Sequence, residues 1–168
     1  NLQEHYSKSD IKIIEKAFEF ASNAHKGQKR ASGADYIEHS LHAANNLADL
    51  KLPTPIIIAG LLHDVPEDTD VTLEEIKQTF GADIAKMVEG ITKLSNIKYR
   101  GIERYVENLR KMFIAMAQDI RVILIKFADR LHNLQTLYAL PADKQKRIAM
   151  ETLEIYTPIA NRLGIGEL

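Results

Sequence analysis

The sequence holds no cysteine. That excludes disulfides, thiolate-bound zinc and cysteine nucleophiles, and leaves histidine and carboxylate to hold any metal. Long apolar runs are missing too. The longest, Pro55 to Leu62, falls far short of the roughly 20 residues that span a bilayer, and the polar N-terminus carries no apolar segment of the kind a secretory leader needs. Neither sign of charge dominates: 22 lysines and arginines against 23 acids give a net charge of −1. No global field therefore draws the chain to nucleic acid, and any anion must be gripped locally. Repeats, low-complexity tracts and Ser/Gly linkers are absent from the 168 residues, which argues for one domain. A cytoplasmic location is the expectation that fits these absences.

What the chain does have is helical periodicity. Hydrophobic residues make up 45% of it, enough for one core without crosslinks. They recur at three- and four-residue spacing, as in Ile11, Ile14, Phe18 and Ala21, or Ile102, Tyr105, Leu109, Met112 and Met116. Two-residue alternation is nearly absent. The expectation is an all-α chain of about eight helices. Gly27, Gly81 and Gly164 read as residues just past helix ends, Thr54 as a cap before Pro55, and Thr72 to Glu75 as a capping box. The β-branched run Ile120 to Ile125 continues in register into Ala128, Leu131 and Leu134, so it is expected to be helical. The polar tail before Ser9 is expected to be loosely ordered.

Two features interrupt this background. His63 and Asp64 end the apolar stretch, and Glu67, Asp68, Asp70, Glu74 and Glu75 follow with no base among them. Acids suit a helix N-terminus, which accounts for Asp70, Glu74 and Glu75; it accounts less well for Asp64, Glu67 and Asp68. The second feature is the segment from Lys126 to Thr136, where Asp129, His132, Asn133 and Thr136 share one helix face. Opposite runs an apolar stripe of Leu124, Phe127, Ala128, Leu131 and Leu134. Solvent exposure alone would explain such a face, and a lone His-Asp pair occurs by chance.

Taken as an ordered set, three segments carry more information. They are Gly27-Gln-Lys-Arg-Ala-Ser-Gly-Ala-Asp-Tyr-Ile-Glu-His39, His63-Asp-Val-Pro-Glu-Asp-Thr69 and Lys126-Phe-Ala-Asp-Arg-Leu-His-Asn133. From about Ala21 onward the chain resembles the hydrolase domain of RelA/SpoT-homologue proteins, a branch of the HD phosphohydrolase superfamily. The resemblance implies a compact HD-type domain over residues 1–157. It implies that Tyr156-Thr-Pro-Ile-Ala-Asn-Arg-Leu-Gly164 opens a connection, residues 158–168, toward an alarmone synthetase region, so that the sequence is a piece of a longer protein.

The activity implied is 3′-pyrophosphohydrolysis of the guanine nucleotides ppGpp and pppGpp in the stringent response. His39, His63, Asp64 and Asp129 would bind one divalent metal, manganese in this family. Two imidazoles and two carboxylates also suit such a cation on chemical grounds. His42 lies one turn from His39 on the same face, and only the family pattern separates them, leaving His42 structural. His25 would be packed or brace a loop, and His5 lies in the tail.

Glu67 and Asp68 would activate water and move protons. Arg30 and Ser32, with Asn133 and Thr136, would hold the nucleoside, supported by Arg130 and His132, while Lys26 and Lys29 would be largely solvated. The chain departs from the family at Ala31, Ala34-Asp35, Ser40 and Pro66. Ala31 bears on nucleotide affinity and Pro66 on the turn holding Glu67. Two other readings compete: an HD phosphohydrolase acting on another nucleotide, and a noncatalytic module that binds alarmone.

Overall fold

The computed structural model describes residues 5–95 and 102–165. Among them no strand forms, and a single bridge joins Lys29 to Asp35. The helices are α1 (Lys8–Ala24), α2 (Tyr36–Asp49), α3 (Thr54–Leu62), α4 (Val65–Asp68), α5 (Leu73–Phe80), α6 (Ala82–Ser95), α7 (Ile102–Gln118), α8 (Ile120–Gln135), α9 (Ala142–Glu151) and α10 (Thr157–Arg162). A 3₁₀ turn at Leu137–Ala139 precedes α9, and a wide π turn at Thr152–Tyr156 leads into α10. Pro158, with no N–H to give to the carbonyl four residues back, is the local reason for that widening.

The centre is α3. Its residues Ile56 to Leu62 are all buried, because a helix that is apolar all round can only sit inside. It packs against α1, α2, α6 and α8. Gly60 lets α2 come close: a Cβ there would stand 2.5 Å from Leu47 Cδ1, itself fully buried. Gly90 plays the same part between α6 and α8, where a Cβ would meet Val122 Cγ2 at 2.8 Å.

α8 divides two apolar clusters. Val122, Ile125 and Ala128 belong to the main core, whereas Ile123 and Phe127 face Met112, Ile155 and Ile159. The run Ile120 to Ile125 is thus helical, as its register predicts, and it is buried on two sides. Two expectations about α8 change. Leu124, Leu131 and Leu134 are only half-buried, while Asp129 and His132 on the polar face are buried; the polar face turns inward. Ile159 is buried in the second cluster, so α10 packs onto the rest of the chain.

Some helix ends also shift. Thr54 is the first helical residue and makes no cap bond, with Pro53 in the cap position; the Thr54 side chain hydrogen-bonds Asp10. Gly164 follows the cap residue of α10, but Gly81 is itself the cap of α5, and Gly27 lies two residues beyond the cap of α1. The Thr72–Glu75 capping box is formed. The stretch just before Ser9 is better fixed than its polarity suggests. Ser7 and Asp10 form a capping box, and Tyr6 donates to the Leu52 carbonyl at 2.8 Å; residues 1–4 lie outside the described part.

Candidate metal centre

His63 caps the C-terminal end of α3. Its Nδ1 donates to the Gly60 carbonyl at 2.7 Å, which fixes the ring and leaves Nε2 as the nitrogen that could ligate a metal. That Nε2 is buried and makes no hydrogen bond. Around it stand Asp64 Oδ2 at 3.1 Å and Asp129 Oδ1 at 3.9 Å. His39, on α2, brings its own Nε2 to 3.4 Å from Asp64 Oδ2 and 3.2 Å from Asp129 Oδ1. Ligating atoms of His39, His63 and Asp129 all lie within 4.8 Å of one another. A buried imidazole nitrogen without a hydrogen bond, aimed at two carboxylates and a second imidazole, fits a divalent cation.

The electrostatics say the same. Burial disfavours the charge of Asp64 and Asp129, yet both are held well below the usual carboxylate range: Asp64 by His63 and His39, Asp129 by Lys126 and the two histidines. Burial likewise works against protonated His63, but Asp64 and Asp129 outweigh it and raise its pKa to about 9. Without a metal, the two acids hold a proton where positive charge is needed.

A ring of neighbours fixes the four residues. His39 Nδ1 meets His132 Nδ1 at 2.7 Å. Burial, with His39, His42 and Arg30 close by, lowers the pKa of His132 to about 4, so at neutral pH it is uncharged and can accept from His39. His42 is exposed and stacks on His132, with 4.6 Å between ring centroids. The Tyr36 hydroxyl lies between two carboxylates, 2.6 Å from Asp68 Oδ2 and 3.0 Å from Asp64 Oδ2, and shares its one proton between them. Asp129 receives Lys126 Nζ on Oδ2 at 2.7 Å and Asn133 Nδ2 on Oδ1 at 2.6 Å.

The loop between α1 and α2 closes over this centre. Arg30 donates to Asn133 Oδ1 at 2.8 Å and lies over the Tyr36 ring. His25 stacks on the Tyr36 ring, with 4.6 Å between centroids, and pairs with Gln28, which donates to the Asp68 carbonyl. Lys29 ion-pairs with Asp35 at 2.6 Å in the open. Ser32 is exposed at the loop tip beside Gly33, apart from the centre's hydrogen bonds. Thr136 ends α8 with its hydroxyl turned to the His132 carbonyl at 3.1 Å. Glu67 is exposed on α4.

Arg130 and His132, expected to support the nucleoside pocket, each find partners within the fold. Arg130 pairs with Glu151 at 3.2 Å and lies over Tyr156 at 4.1 Å, which clips α8 to the C-terminal helices. His132 backs His39 instead.

A family model described as an HD domain matches residues 17–166. The chain belongs to the HD domain family. Its similarity to RelA/SpoT-type proteins runs along nearly all of it. It is 50% identical to the Escherichia coli bifunctional (p)ppGpp synthase/hydrolase SpoT over 99% of the chain and 24% of that protein. It is 50% identical to the Aquifex aeolicus guanosine-3′,5′-bis(diphosphate) 3′-pyrophosphohydrolase over 92% of the chain and 22% of that protein. The chain thus spans about a quarter of the length of these relatives. A solved metazoan ortholog of SpoT that hydrolyses ppGpp superimposes with a TM-score of 0.69 at 23% identity, covering 89% of this chain and 85% of that one. This last likeness concerns the fold.

Three supporting residues of this HD domain escaped the sequence reading: Tyr36, Lys126 in its buried pairing, and Asn133 as a partner of Asp129. Tyr36 and Lys126 each stand three residues before a site residue, one turn along the same helix, and that spacing was the available signal.

Proposed function

We propose that this domain is a metal-dependent hydrolase that removes pyrophosphate from the ribose 3′ position of ppGpp and pppGpp, leaving GDP or GTP. The observation that carries the reading is the cluster of buried His39, His63 and Asp129 with half-buried Asp64 beside them, and a buried His63 Nε2 that makes no hydrogen bond. The named relatives supply the substrate class. These four residues would hold the cation, manganese in this reading, which acidifies a water and screens phosphate charge when bound.

In the reaction a water oxygen bonds to the phosphorus on the ribose 3′-oxygen, the bond to that oxygen breaks, and pyrophosphate departs as the ribose hydroxyl regains a proton. Asp68, fixed by Tyr36, and Glu67 on the same short helix are the pair for accepting the water's proton and returning one to the ribose. Arg30, Ser32, Asn133 and Thr136 are assigned to the nucleoside. The hydrolase unit is assigned to residues 1–157, followed by a connection toward a separate synthetase region, and the working compartment is the cytoplasm.

The test is product analysis with metal-stripped protein, ppGpp and added manganese. Pyrophosphate and GDP should appear with metal and vanish with chelator. Glu67→Gln should keep metal and nucleotide binding while turnover falls by roughly 10²-fold. Release of single phosphates, or full turnover after verified metal removal, defeats the proposal.

A further inference from the structure

Lys126 is an unusual neighbour for a cation site. Its side chain is 15% exposed, and its ammonium sits 2.7 Å from Asp129 Oδ2, inside the same cluster that assembles His39, His63 and Asp64. A positive charge at that place repels a metal ion. A site selected only for tight cation binding would not put it there.

The geometry divides the two oxygens of Asp129. Oδ1 faces His39 at 3.2 Å and His63 at 3.9 Å, while Oδ2 is taken by Lys126. Asn133, donating to Oδ1 and receiving Arg30 on its own Oδ1, keeps the carboxylate from rotating. Lys126 and Asp129 stand three residues apart on α8, so one helical turn sets their separation. The ion pair with Asp129 holds the ammonium inside the cluster.

We infer that Lys126 is a positioning residue that confines Asp129 to a single ligating oxygen and lowers the negative charge of the site, weakening metal affinity and strengthening affinity for the polyphosphate anion. This rests on the metal-site reading above. The electrostatic reason is the sum at the centre. Asp64 and Asp129 supply two negative charges, with Asp68 and Glu67 nearby, and Lys126 offsets one of them. A bound dication would cancel the charge of Asp64 and Asp129, and the one positive charge of Lys126 offsets part of what Asp68 and Glu67 add, so the polyphosphate meets less negative charge than it would without the lysine. Freed of Lys126, Asp129 offers both oxygens and a fuller charge to the metal. Hard cations accept that readily.

The consequence is a pair of effects of opposite sign, which loss of packing alone does not produce. Lys126→Met keeps the length and burial of the side chain and removes the charge. In manganese titrations of metal-stripped protein followed by electron paramagnetic resonance, K126M should bind about tenfold more tightly than the unaltered protein. At saturating manganese its KM for ppGpp should rise about tenfold, with kcat less affected. Lys126→Arg, which keeps the charge, should restore both values toward those of the unaltered protein. Lys126→Gln supplies the same comparison if K126M does not fold.

Metal affinity unchanged or weakened in the charge-free variant overturns the inference, as does an unchanged KM. The titration uses manganese alone. Failure of the unaltered protein to bind manganese therefore sinks the site itself, whereas failure to cleave ppGpp with the metal effect intact sinks only the substrate assignment and the anion half of the inference.

Discussion

His39 and His42 stand one turn apart on α2, yet His39 is buried against Asp64 and Asp129 while His42 lies exposed over His132. Loss of a ligand removes a coordinate bond; loss of a supporting group only loosens the ring it holds. His39→Ala should therefore abolish manganese retention, and His42→Ala should retain most of it. His132→Ala, which deprives His39 Nδ1 of its partner at 2.7 Å, should weaken metal affinity by roughly 10–100-fold. Calorimetric titration of folded variants separates the three. Comparable losses from His39→Ala and His42→Ala would reject the assignment. At this scale the His63-Asp64 dyad was legible because a polar pair ending an apolar helix has little packing purpose. The partner of His132 was not, since it lies 93 positions away and helical spacing carries no information over that distance.

At the scale of the element, α8 shows both what pattern reveals and what it hides. Its β-branched start read as helix because the apolar register runs on past Ile125. Its polar face, open to a reading of plain exposure, is buried because α2 and α3 both pack against it. The helix begins at Asp119, whose side chain accepts from the Arg121 backbone at 3.0 Å. Arg121 in turn holds Asp119 and, with two bonds of 2.8 Å, Asp83 at the start of α6. Hydrogen bonds from Arg121 are the leading reason that both aspartates titrate below their ordinary value of 3.8. An acid whose pKa falls on folding contributes stability that is present above its unfolded value and lost as pH drops through its folded value. Asp83 is largely exposed, so solvent screens much of its share. Arg121→Met should accordingly cost roughly 0.5–1 kcal/mol at pH 7, with a shallower loss of stability below about pH 4. Thermal melts across pH 2–7 would show the two proteins converging in acid. Parallel curves would mean that Arg121 acts by packing alone.

Across the whole molecule, the proposed metal ligands come from α2, the junction after α3, and α8, segments brought together only by folding. The all-α class was legible because three- and four-residue periodicity is a local property. Which helices meet was not legible in spacing, because their faces are matched by shape: Gly60 against Leu47, and Gly90 against Val122. A cation held by residues 39, 63, 64 and 129 would cross-link the packed helices in the native state, with no equivalent site in the unfolded chain. Such a ligand stabilises by an amount set by its concentration over its dissociation constant, about 2.7 kcal/mol at a hundredfold excess. For a chain of 168 residues that corresponds to a rise in Tm of roughly 5–10 °C. Manganese should produce this rise in the unaltered protein and in His42→Ala, and almost none in His39→Ala, because of these two histidines only His39 brings a nitrogen to the cluster. The magnitude should follow manganese concentration logarithmically, as mass action requires. An equal rise in all three proteins would place the stabilising ion elsewhere on the surface and remove the main support for the metal centre.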